Sequence, residues 1–143
     1  MDTGGNSWVP TRSVISVLVV DDHPMARAAV VDMVASTAGP VLAGTAADGR
    51  AGLALAQRVQ PDLVLMDVSM PVMSGIEATR RLVEEHPGTR VIVFSAEAGR
   101  DVVRSAREAG AAGFVRKGCR ESDFIRAIRS VMTGRPVCPA TPR

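Results

Sequence analysis

Apolar residues fall into two alternating patterns along this chain. The first is a set of short, nearly unbroken apolar runs: Val14–Val20, Val41–Ala46, residues 62–67, Arg90–Ser95 and Ala112–Arg116. Each is bounded by polar or turn-forming residues, as in Asp21-Asp22-His23-Pro24 after the first and Pro71 and Gly75 after the third. Runs of this length and punctuation predict strands buried on both faces of a parallel sheet. The second pattern has helical spacing. It predicts helices from Pro24 to about Thr37, from Gly49 to about Val59, from Gly75 to near His86, through Val102, Val103, Ala106 and Ala109 to Gly110, and over about 121–133.

Local signals sharpen these helix starts. Pro24 suits a first helical position, with a polar or acidic residue just before it as cap. Asp48 is placed to cap the second helix, whose Leu53, Ala56 and Val59 face inward. Ser74-Gly75-Ile76-Glu77 reads as a capping box. Phe124, Ile125, Ile128 and Met132 form the apolar stripe of the last helix.

Five strands alternating with five helices, all at crossover lengths, predict an α/β doubly wound parallel sheet with helices on both faces. The natural arrangement of five such units is the flavodoxin-like order 2-1-3-4-5, whose ligand crevice lies between the first and third strands. The ends of those two strands carry Asp21, Asp22 and Asp67. Residues 1–13 are polar and aperiodic, which predicts a disordered arm. Residues 135–143 are Pro-rich and read as a tail or linker stub. The domain proper is expected over 14–134.

Composition narrows the class rather than the function. The 143 residues are 46% hydrophobic and 22% charged, as in an ordinary globular domain, and the absence of Tyr leaves the core to aliphatic residues and Met. A net charge of +2 is too mild to predict nucleic-acid binding by itself. No apolar stretch has the length of a membrane span, and the first residues lack the character of a secretion signal. Cys119 and Cys138 lack metal-site spacing. These features predict a cytoplasmic protein with reduced cysteines and no membrane partner.

Three carboxylates at adjacent strand ends repel one another, by roughly 4 kcal/mol for a pair about 4 Å apart at an effective dielectric near 20. A divalent cation removes that cost, and oxygen ligands with room for water suit Mg²⁺. Asp22 and Asp67 are the expected direct ligands, with Asp21 acting through water and the Ser69 backbone carbonyl as a further contact. The plainer reading of any one of these residues is a helix cap or a strand-end turn. Two other strand ends add complementary groups. Ser95 closes the fourth strand, and Lys117, the only lysine among 17 basic residues, follows the fifth. A flexible point charge and a hydroxyl beside a metal-bound carboxylate are what an acyl phosphate needs.

Val-Leu-Val-Val-Asp-Asp-His-Pro at 17–24, Met-Asp-Val-Ser-Met-Pro-Val-Met-Ser-Gly at 66–75, Ser-Ala at 95–96 and Gly-Phe-Val-Arg-Lys at 113–117 resemble the receiver domains of two-component response regulators. The resemblance covers about residues 14–134, with every element in order. It implies that Asp67 is the phosphoacceptor, taking its phosphoryl group from a sensor histidine kinase with Mg²⁺, Ser95 and Lys117 assisting. It also implies that Phe114 is the switch aromatic, turning inward as Ser95 moves and so reshaping the 95–120 surface. Arg104, Arg107, Arg116, Arg120, Arg126 and Arg129 lie near that surface, reading mostly as solvated helix faces and in part as candidates for a homodimer interface. The His-Pro after the acidic pair, the Lys-Gly step and Met132-Thr133-Gly134-Arg135-Pro136 are most similar to receivers joined to LuxR-type helix-turn-helix domains. The implied output is transcription, through a DNA-binding domain that these 143 residues do not contain.

One residue departs from the family pattern: Gly118 stands where many receivers have proline. It keeps open a pseudo-receiver that dimerises or binds partners without phosphate. Two rivals fit less well. A haloacid-dehalogenase-type phosphatase needs a second Asp two residues beyond the nucleophile, where this chain has Ser69. A flavodoxin-like cofactor carrier needs a phosphate-cradling loop after the first strand, where Asp21-Asp22 repels phosphate. The expected protein is therefore a switch and not a turnover enzyme, beyond slow loss of its own phosphoryl group.

Overall fold

In the computed structural model, residues 14–133 are described; the expected arm at 1–13 and the tail at 135–143 lie outside them. Strands β1 (Ile15–Val20), β2 (Pro40–Ala46), β3 (Leu63–Asp67), β4 (Arg90–Ser95) and β5 (Gly113–Arg116) alternate with helices α1 (Pro24–Ala35), α2 (Gly49–Val59), α3 (Gly75–Glu85), α4 (Arg100–Glu108) and α5 (Glu121–Met132). The sheet is parallel throughout in the order β2-β1-β3-β4-β5, as the alternation predicts. Central β3 is buried along its whole length, which is why it reads as an unbroken apolar run.

Successive side chains of each strand point to opposite faces, so the same residues build two cores. Val17, Val19, Leu63, Leu65, Ile92 and Phe94 pack under α1 and α5. Leu18, Val20, Val64, Met66, Val91 and Val93 pack under α2, α3 and α4. Each fully buried Val or Leu side chain contributes about 1.5–3 kcal/mol relative to exposure. The register aligns the carboxyl ends of the central strands: Val20 lies beside Met66, Asp67 beside Phe94 and Ser95 beside Arg116.

Several local expectations are corrected. Helix α1 ends at Ala35, two residues short of the expected end near Thr37, and two hydroxyls bond to its last carbonyls: Ser36 Oγ donates to that of Asp32 and Thr37 Oγ1 to that of Met33. Its N-cap is His23, whose side chain does not cap; instead the His23 N–H donates to Asp21 Oδ1. Val59 is exposed at the end of α2, and the buried line there runs through Gly52 and Ala56. Asp48 does cap α2, accepting from the Ala51 N–H at 2.8 Å. On α3 only half of the capping box is found. Ser74 Oγ accepts from the Glu77 N–H at 3.2 Å, while the Glu77 carboxylate turns to Arg80 and Arg81. The Arg81 contact holds Glu77 below the usual carboxylate range. No helix among the described residues is long and apolar enough to cross a membrane.

Candidate functional site

At the carboxyl end of the sheet the strands deliver their polar residues to one crevice. Asp21, Asp67 and Ser95 are buried directly after apolar runs, and Asp22 is partly exposed beside them. Lys117 crosses from β5 with its Nζ 3.0 Å from Asp67 Oδ1 and 3.2 Å from Asp21 Oδ2. The ammonium also lies 5.4 Å from the centre of the Phe94 ring. The Lys117 N–H donates to the Ser95 carbonyl at 2.8 Å, fastening the two strand ends together. Ser95 Oγ accepts from the Glu97 N–H at 3.0 Å. That contact occupies a lone pair and leaves the hydroxyl proton to donate.

The electrostatics are those of a crowded anionic pocket. Burial, and then the charge of Asp21, push the Asp67 carboxyl above its ordinary range; Lys117 and the Val68 N–H pull the other way. Burial works to lower Lys117, but hydrogen bonding and charge from Asp67 and Asp21 outweigh it and hold the ammonium above its ordinary value. One lysine cannot balance three carboxylates, and Asp67 Oδ2 is buried without a hydrogen-bond partner. Asp21, Asp22, His23 and Asp67 each offer a ligand atom, all within 4.8 Å of one another. An orphaned buried carboxylate oxygen within such a donor set fits a hard divalent cation. Ser69 lies exposed two residues beyond Asp67.

Two glycines shape the loops that follow the charged residues. A Cβ at Gly75 would stand 1.7 Å from the Asp67 carbonyl oxygen, so α3 begins pressed against the backbone of the buried carboxylate. The Gly75 N–H donates to the Val68 carbonyl in the same contact. Gly118 has φ +85 with open space around it. The Cys119 N–H donates to the Arg116 carbonyl at 3.2 Å, closing a turn with the positive third position of type II. Proline cannot adopt that φ. The departure at Gly118 thus brings its own turn, from which Lys117 still reaches Asp67.

Asp21, Asp22, Asp67, Ser95 and Lys117 therefore lie together at one crevice. Phe114 is 4% exposed and packed in the core beside α4, the inward position of the expected switch aromatic. The arginines on the 95–120 side are surface groups: Arg104 pairs with Asp101 and Arg126 with Asp123 one turn apart, contacts worth about 0–1 kcal/mol each. Sequence reasoning missed His23, whose Nδ1 is 3.0 Å from Asp22 Oδ1, and Arg27, whose Nη1 donates to the Asp21 carbonyl. Adjacency to Asp22 was the only available signal for His23, and the one-turn spacing from Asp22–His23 into α1 the only one for Arg27. Cys119 is a free thiol that burial raises above its ordinary pKa.

Comparison with known proteins agrees with this geometry. The response regulator receiver domain family matches residues 17–129. The response regulator GacA of Pseudomonas aeruginosa is 40% identical over 120 residues, spanning 84% of this chain and 56% of that protein. The nitrate/nitrite response regulator NarL of Escherichia coli is 33% identical over 122 residues, covering 85% and 56% respectively. The chain thus spans little more than half the length of these relatives. Among solved structures, a LuxR-family two-component response regulator from Aurantimonas superposes with a TM-score of 0.83 at 31% identity, covering 87% of this chain and 89% of that one. The receiver domain of a NarL-type regulator from Mycobacterium tuberculosis gives 0.82 at 32% identity, covering 87% and 100%. Shared sequence, strand order and the acidic crevice agree, and the chain belongs to the response regulator receiver domains.

Proposed function

We propose that this domain is a phosphorylation switch in which Asp67 accepts a phosphoryl group from the phosphohistidine of a sensor histidine kinase. The observation that carries the reading is the state of the Asp67 carboxylate. One oxygen is held by Lys117 at 3.0 Å and the other is buried with no hydrogen-bond partner. An Asp67 oxygen forms the new bond to phosphorus as the N–P bond breaks, and the bonding electrons return to the kinase imidazole. The phosphoryl group brings about −1.5 to −2 charges into an already anionic pocket. Lys117 offsets part of that charge, and the free proton of Ser95 donates to a phosphoryl oxygen. Asp22, Asp67 and the Ser69 carbonyl would hold Mg²⁺ directly, and Asp21 through water; the cation would supply the remaining charge compensation.

Reshaping of the 95–120 surface follows from the movement of Ser95 toward the phosphoryl group, which must first bend the Ser95–Glu97 turn. Phe114, buried beside α4, is the ring that would fill the space this movement vacates. The output is transcription through a DNA-binding domain outside these 143 residues, in the cytoplasm, with homodimerisation on the arginine-bearing side. The chemistry is stoichiometric. Slow attack of water on phosphorus regenerates the Asp67 carboxylate and releases phosphate.

The test is intact mass after incubation with Mg²⁺ and acetyl phosphate, beside Asp67→Asn. One acid-labile phosphoryl group on the wild type alone is expected. Modification of both proteins would place the acceptor elsewhere. If the wild type also stays unmodified with a phosphorylated histidine kinase domain as donor, the domain works without phosphate.

A further inference from the structure

His23 stands beside the acidic cluster but has no role in the chemistry above. We propose that it is a nitrogen ligand to the cation of this site and tilts the site from Mg²⁺ toward borderline transition ions. The inference rests on the reading that the carboxylates hold a divalent cation, and it goes beyond that reading by naming a fourth protein ligand and the metal class it selects.

Three observations support it. His23 Nδ1 lies 3.0 Å from Asp22 Oδ1 and 3.5 Å from Asp21 Oδ1. Neighbouring ligand atoms on an octahedral shell of about 2.1 Å radius are about 3.0 Å apart, so these separations suit shared coordination. The buried Asp67 Oδ2 lacks a hydrogen-bond partner in the same cluster, and Asp21 Oδ2 meets only Lys117 Nζ at 3.2 Å, marking a centre that the protein's own donors do not fill. Finally, the residue is anchored but its ring is not consumed. The His23 N–H is tied to Asp21 Oδ1 at 2.9 Å and Pro24 opens the helix after it, while the imidazole makes no helix cap and is 63% exposed. Coordination uses the Nδ1 lone pair of the neutral ring, with its proton on Nε2.

The chemistry then separates the metals. Mg²⁺ prefers oxygen and keeps its waters, so an imidazole adds little to its binding. Co²⁺ and its neighbours rank above Mn²⁺ in intrinsic affinity and accept imidazole readily. The competing role for His23 is purely orienting: a hydrogen bond from Nδ1–H to Asp22 that would help every cation equally.

Calorimetric titration of the untagged protein with Mg²⁺ and with Co²⁺ distinguishes these roles, using wild type, His23→Ala and His86→Ala. His86, the other histidine, caps the far end of α3 and controls for adventitious binding. The expected result is Co²⁺ preferred over Mg²⁺ in the wild type. His23→Ala should lose Co²⁺ affinity by about tenfold, one ligand's worth, with Mg²⁺ affinity changed less than twofold. Bound Mn²⁺ should show ¹⁴N modulation of its electron spin echo in the wild type and lose it in His23→Ala. Equal loss for both metals, or an unchanged Co²⁺ to Mg²⁺ ratio, would overturn the ligand role while leaving the carboxylate site standing. A Co²⁺ preference that disappears in His86→Ala would overturn it as adventitious. A wild type that binds neither ion overturns the cation site itself.

Discussion

The loop after β3 and the turn after β5 do similar jobs by opposite means. Both carry a charged residue out of the sheet, Asp67 in one case and Lys117 in the other, and both depend on a glycine. At Gly75 the requirement is space: a methyl group would collide with the Asp67 carbonyl, while the backbone conformation is ordinary. At Gly118 the requirement is conformation: φ is +85 and nothing lies within 4 Å of where a Cβ would be. Asp67 is thus held by what packs against it, and the lysine by how its own backbone turns. The same residue type carries two different physical constraints.

The sharpest way to break this contrast is Gly75→Ala. A collision with main-chain atoms has no flexible side chain to yield, so a loss of about 4 kcal/mol or more is expected, read by urea denaturation. A loss under about 1 kcal/mol, the range of an ordinary substitution, would refute the close packing of α3 on Asp67. Next in size is Lys117→Ala. It leaves Asp21 and Asp67 buried without their counter-charge, a defect that costs about 3–5 kcal/mol in a fully buried pair. The ammonium is 23% exposed, so the lower end is expected, and a divalent cation at a hundred times its Kd should restore up to about 2.7 kcal/mol. Gly118→Ala should cost about 1–2 kcal/mol from left-handed backbone alone. Gly118→Pro should cost more than Gly118→Ala, since its ring forbids the turn, and that ordering checks the conformational account.

Asp67→Asn should stabilise the domain. Because the Asp67 carboxyl is pushed up in the folded chain, the native state holds that proton more tightly than the unfolded state does. Stability therefore falls as pH rises through the folded pKa. Without divalent cation, Asp67→Asn should gain on the order of 1 kcal/mol at pH 7. The gain should vanish below the unfolded aspartate pKa of about 3.9, where both states are protonated. A gain that persists there would point to packing instead of charge. The smallest effect is expected at Val72, 71% exposed at φ 71, where the Met73 N–H donates to the Pro71 carbonyl in a three-residue turn. Val72→Gly relieves a β-branched residue from that region and should gain up to about 1 kcal/mol, loses no packing, and is read in the same denaturation series.

The site was legible in the chain to the extent that it is made by strand ends. Asp21, Asp67, Ser95 and Lys117 each stop or follow an apolar run, and a parallel sheet brings such ends together whatever the side chains do in detail. Crossover lengths pointed to a parallel sheet in the same way, and its strand order was the arrangement natural to five such units. Side-chain choices that depend on neighbours were not legible. Glu77 could bond to its own cap or to arginines one turn on, and the arginines won. Val59 sits at helical spacing yet emerges past the edge of the core. Phe114 could not be assigned an inner or outer position without knowing what α4 leaves open, and His23 read as a helix leader because nothing local says that its ring faces carboxylates.

β5 is four residues long and, among the described residues, lies at the edge of the sheet and pairs only with β4. Asp21, Asp22 and Asp67 hang from β1 and β3, which are hydrogen-bonded neighbours near the centre. Fraying of a short edge strand is the low-energy kind of local opening. Such an opening would carry off Lys117 and leave the three acids in place. A chain frayed at this edge could still gather cations, yet under the proposed function it would lack the lysine's share of the charge that offsets a phosphoryl group. If the domain takes up phosphate as proposed, hydrogen exchange along β5 would then report the fraction of molecules with that lysine out of place.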